Sequence, residues 1–82
     1  MEKEEFKKIM CSEIRKIRLE HGDEQLELAK KSGVAASTIS KYENCNGKIC
    51  VTKIEQILSP YNISLPIFFK RILAKTQKDK LR

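Results

Sequence analysis

The sequence predicts an all-α domain of five short helices, and three observations carry that prediction. Apolar residues recur at helical spacing over residues 2–20, as Phe6, Ile9, Met10, Ile14 and Ile17. Residues 25–44, QLELAKKSGVAASTISKYEN, read as two short amphipathic segments with Ser32-Gly33-Val34 as a turn between them. Pro60 and the run Ser64-Leu65-Pro66 then divide the remainder into one short and one longer helix. Eighty-two residues leave room for one core. The expected domain covers residues 1–76, with residues 77–82 as a basic flexible tail frayed after Thr76.

The first helix ends at His21-Gly22. Gly22 suits a C-terminal cap and His21 the negative end of the helix dipole. The second helix begins near Glu24, with Asp23 as cap if it starts one residue early. Leu26, Leu28 and Ala29 are read as its apolar face, with Ala29 small where two helices cross. Gly33 supplies the positive φ of the turn. In the third helix, Ile39 and Tyr42 form the buried ridge. Ala36, Ser37, Thr38, Ser40, Lys41 and Asn44 are left facing out. Those side chains are short and polar, apart from one methyl and one cation, and suit close approach to a partner. Two helices so arranged form the layout in which the second enters a DNA major groove.

The chain from about Ser12 to Phe69 resembles the Cro/cI-type (XRE-like) helix-turn-helix regulators. The resemblance is carried by Ile14-Arg15-Lys16-Ile17-Arg18, Gln25, Leu28-Ala29, Gly33-Val34, Ser37-Thr38-Ile39-Ser40-Lys41, Glu43-Asn44 and Ile63-Ser64-Leu65. It implies a compact five-helix, lambda-repressor-like fold. By resemblance, Ala36, Ser37 and Lys41 match base-reading positions, with Ser40 able to reach the groove. Gln25, Asn44, Lys48 and Thr38 fall where phosphates are touched. Arg18 and Glu43 match a partly buried salt bridge between the first and third helices. The sequence departs from the family at two caps: Glu24 and Ala35 stand where Ser or Thr is usual, and a missing cap costs about 1 kcal/mol.

Asn46-Gly47 makes 45–50 a loop, with Lys48 toward the sugar-phosphate backbone. The fourth helix is expected over 51–59, with Ile54, Ile57 and Leu58 inward and Pro60 ending it. Ser64 caps the last helix, where Ile63 and Phe68 form a hydrophobic staple. Leu65, Phe68, Phe69, Ile72 and Leu73 make a stripe wider than so small a domain can cover, with Ile67 off it. Ile67, Phe69, Ile72 and Leu73 are therefore assigned to a homodimer interface. An amphipathic membrane helix is the competing reading of this basic segment.

The net charge of +6 is concentrated at the end: residues 70–82 hold six basic residues and one acid, Asp79. Residues 1–69 carry 11 basic and 10 acidic side chains. Electrostatic attraction of the core to DNA is thus modest, and Asp23, Glu24 and Glu27 oppose phosphate. The three cysteines do not suggest a disulfide framework. Cys11 is read as a small buried residue, and Cys45 and Cys50 as flanking a loop where they could act as a redox pair. A metal site using them with His21 lacks the usual C-x-x-C and H-x-x-x-H spacings.

A single His, no Gly-rich phosphate loop and no paired acid and base argue against an enzyme. No cofactor, metal or small-molecule ligand is implied. The mixed-charge start, without a signal-peptide pattern, points to the cytoplasm. The expected function is regulation of transcription through a palindromic operator bound by a homodimer. Restriction–modification controller, phage or mobile-element repressor, DNA-binding antitoxin and protein–protein adaptor remain as alternatives.

Overall fold

A computed structural model describes the backbone of residues 3–80 and the side chains of residues 4–75. Five α-helices follow in order: α1 (Lys3–Glu20), α2 (Gln25–Ser32), α3 (Ala36–Glu43), α4 (Val51–Leu58) and α5 (Leu65–Lys80). No strand occurs among the described residues. A 3-10 turn, Ser59–Tyr61, lies between α4 and α5. The α-helix therefore ends at Leu58, and Pro60 sits inside the tighter turn rather than simply stopping the chain. Asn62, at φ 58°, reverses the backbone into α5.

Ile14, Ile17, Leu28, Val34, Ile39, Tyr42, Ile54, Ile57, Leu58, Phe68 and Ile72 form one core shared by all five helices. In α1 the predicted apolar residues do face inward, with Phe6, Ile9 and Met10 half-buried at the rim. Phe6 stacks on Phe69 with ring centroids 6.4 Å apart, joining the start of α1 to α5. The α2–α3 turn is made by Gly33 at φ 76°, whose N–H donates to the Ala29 carbonyl at 2.9 Å.

Several expectations are corrected. Leu26 is 60% exposed. It cannot share the face of Leu28, because two residues along a helix are about 200° apart. Asp23 does not cap α2. Glu24 does, in a capping box with Glu27, whose carboxylate accepts the Glu24 N–H at 2.9 Å. Ile72, expected at a subunit interface, is wholly buried in the chain's own core. Ile67 and Leu73 are exposed, but six residues place them about 120° apart around α5. They do not form one patch. Phe69 and Leu73, four apart, share a face. The helix is described through Lys80; of the expected tail, the side chains of residues 77–80 and all of residues 81–82 lie outside the described residues.

The cysteines are paired differently from the sequence reading. Cys45 is disulfide-bonded to Cys11 across the α1–α3 boundary, with Cα atoms 5.6 Å apart. Cys50 is free and exposed. Its thiol is held below the usual range by hydrogen bonding to Thr52 and by backbone N–H groups at the start of α4.

Candidate nucleic-acid interface

α3 is eight residues long and begins on a backbone cap alone, the Ala35 carbonyl accepting the N–H groups of Thr38 and Ile39 at 3.0 Å. Ile39, Tyr42 and Glu43 face inward. The outer face carries Ser37 and Lys41, both exposed and one turn apart, flanked by half-buried Ala36, Thr38 and Ser40. At the far end exposed Asn44 donates from Nδ2 to Ser40 Oγ at 3.2 Å. Part of the polar capacity of Ser40 is thus used within the helix. Lys48 is exposed in the following loop, where Gly47 has φ 80°.

Beneath this face lies a buried polar network. Arg18 of α1 donates from Nε to Glu43 Oε2 at 2.7 Å and from the second terminal nitrogen to Oε1 at 3.0 Å. Its remaining terminal nitrogen donates to the Asp23 carbonyl at 2.7 Å. Gln25 at the start of α2 donates from Nε2 to Glu43 Oε1 at 3.1 Å. One carboxylate therefore joins α1, α2 and α3, and its hydrogen bonds raise the Arg18 guanidinium still further above its ordinary value. Gln25 keeps a second amide hydrogen, and its backbone N–H belongs to a helix start, where donors await an outside acceptor.

A second cluster fixes the approach to α2. The Asp23 carboxylate accepts from Lys31 Nζ at 2.7 Å and from the Tyr61 hydroxyl at 2.8 Å. Hydrogen bonds from Lys31 and Tyr61 hold its carboxyl below the usual range. Burial, and then the same carboxylate, push the Tyr61 phenol up. His21 stacks on Tyr61 at 4.0 Å, and its Nδ1 lies 2.8 Å from the Ile17 carbonyl at the end of α1. Asp23 thus has its charge compensated inside the protein and opposes phosphate less than the sequence suggests.

Sequence reasoning missed a third cluster, on the far side of α1. Glu13 is buried and takes Arg71 at 2.9 Å and Lys75 at 2.6 Å, both from α5. Burial pushes its carboxyl up, but hydrogen bonds from Lys75 and Arg71 outweigh this and hold it below the usual range. Its position carried a signal. Glu13 is four residues from both Ile9 and Ile17, inside the apolar stripe of α1. Two cations of the basic C-terminal segment are consequently engaged within the domain. Among the described residues, no His/Cys/Asp/Glu cluster is placed to hold a metal ion. No described helix is long and apolar enough to cross a membrane.

Two short helices about a glycine turn, the second bearing an exposed polar face on a locked base, define a helix-turn-helix DNA-binding domain. The helix-turn-helix family's sequence profile matches residues 14–68, and the chain belongs to that family, in its XRE or Cro/cI-type branch. Its class is that of DNA-binding transcription regulators, which are not typically enzymes. No curated protein and no solved structure matches the chain.

Proposed function

We propose that this protein is a sequence-specific regulator of transcription that binds a palindromic operator as a homodimer and inserts α3 into the major groove. The observation that supports this best is the joint placement of Ser37 and Lys41 on the exposed face of α3, over the Arg18–Glu43–Gln25 network. In this reading Lys41 donates to guanine O6 and N7, Ala36 packs against a thymine methyl, and Ser37 and Ser40 add hydrogen bonds to base edges. Gln25, Thr38, Asn44 and Lys48 hold phosphates and set the register. Arg18 and Glu43 orient α3 without touching DNA. With small readers at Ala36 and Ser37, DNA shape supplies part of the specificity.

One helix of this length reads only a few base pairs, and a two-fold dimer doubles the site with half-sites about one turn apart. The dimer surface is the Phe69–Leu73 face of α5; Ile67 is a secondary contact and Ile72 is excluded by burial. Equilibrium sedimentation at concentrations well above those needed for DNA binding should give a dimer, and a monomer there would remove that part of the reading. Selection from a pool of random duplexes tests the whole. Enrichment of a palindrome is expected. A folded protein that enriches no sequence would overturn the proposal in favour of a protein–protein adaptor.

A further inference from the structure

We infer that the Cys11–Cys45 pair is a redox tie on the end of the recognition helix, tightening DNA binding when oxidised and loosening it when reduced. This rests on the DNA-binding reading above. Three observations carry it. Cys45 is the first residue beyond the Asn44 cap of α3, and it is joined to Cys11 of α1. Its φ is 59°, in the left-handed region, while the Asn46 N–H donates back to the Lys41 carbonyl at 2.9 Å. This is the helix stop at which glycine is usual, because a side chain there is strained. The chain places a sulfur in that strained position and keeps its glycine two residues later, at Gly47. Finally, Cys45 Sγ lies 3.3 Å from the Lys7 carbonyl oxygen, so a reduced thiol has an acceptor ready. That acceptor is a backbone group of α1 itself.

The exchange balances with a small-molecule disulfide such as oxidised glutathione. Cys45 is half-exposed and Cys11 is buried, so Cys45 reacts first. Its thiolate attacks one glutathione sulfur, the glutathione S–S bond breaks and one glutathione thiolate leaves. The Cys11 thiolate then attacks the Cys45 sulfur and releases the second glutathione. Two protein thiols are oxidised, one small disulfide is reduced to two thiols, and the protons released by the cysteines are taken up by the leaving thiolates. The Arg18–Glu43 pair already holds the last turn of α3, and the closed bond adds a tie just beyond it, pinning the Asn44–Lys48 backbone against α1. Those groups then enter the DNA complex already ordered. Reduction leaves their ordering to be supplied on binding.

The full-length protein, equilibrated in oxidised or reduced glutathione, is alkylated and weighed. Duplexes recovered from the random pool are titrated with each form. The wild type and Cys50→Ser should show a Cys11–Cys45 bond after oxidation and lose about tenfold in affinity on reduction, equivalent to about 1.4 kcal/mol. Cys45→Gly, which relieves the strained φ while removing the sulfur, should bind equally with and without reductant. Cys11→Ser should do the same. Oxidation that yields a Cys45–Cys50 bond, or free thiols throughout, would overturn the inference. So would equal affinities of wild-type forms shown by mass to be fully cross-linked and fully reduced. If neither form binds any duplex, the DNA-binding reading has failed and the regulation falls with it; the mass measurement still shows whether the bond forms.

Discussion

Two buried glutamates stand on opposite sides of α1, and their surroundings differ. Glu43 is held by Arg18, and the two side chains are 1% and 9% exposed. Glu13 is equally buried, but its partners Arg71 and Lys75 remain 35% and 44% exposed. The first pair is enclosed by α1, α2 and α3, with the guanidinium bonded to the Glu43 carboxylate and to the Asp23 carbonyl. The second spans a helix seam whose cations reach solvent. An enclosed pair fixes geometry rigidly and is costly to break singly, whereas an open one acts as a tether. The enclosed pair lies under the proposed reading face, and the tether holds α5, which is proposed to carry the dimer contact.

Substitution should separate the two. Arg18→Met strands the Glu43 carboxylate and should cost about 3–5 kcal/mol in urea unfolding. The double variant Arg18→Met/Glu43→Leu should recover much of that loss. Recovery of stability without recovery of DNA affinity would assign the pair to orientation. Glu13→Gln leaves its cations in reach of water, and a loss of about 1–2 kcal/mol is expected. A loss as large as that of Arg18→Met would erase the distinction.

The smallest effect is in pH dependence. The carboxyls of Glu13 and Asp23 sit below their usual range in the folded state. As pH falls past about 4, the unfolded chain takes up their protons first, so stability is lost as pH drops through the folded values. The contribution is complete above about pH 5 and absent at strongly acid pH. Unfolding midpoints measured from pH 7 to pH 3 should therefore be level at first and then fall. The acid limb should be shallower in Glu13→Gln, and an identical slope would mean that Glu13 titrates alike in both states.

The helix order and most of the core were legible because apolar spacing and glycine turns are local signals. Ile14, Ile17, Ile39, Ile54 and Phe68 are identified by period alone. The α2 cap was legible in principle, since Glu24 and Glu27 have capping-box spacing, but Glu is an unusual cap. The Glu13 cluster was not found because its cations are 58 and 62 residues away along the chain. The Cys11–Cys45 pair depends on a left-handed residue at position 45, which no sequence pattern announces for cysteine. The misassignment of Ile72 has a simpler cause. A stripe on α5 is wide enough for two surfaces, and only packing shows which residues the monomer keeps for itself.

The most direct measurement compares the wild type and Lys41→Ala on a selected operator and on a scrambled duplex of equal length and charge. If Lys41 reads bases from the exposed face of α3, the variant should lose about 1–3 kcal/mol on the operator and clearly less on the scrambled duplex. Equal losses on both would mean that Lys41 meets only phosphate, and would contradict recognition through this face.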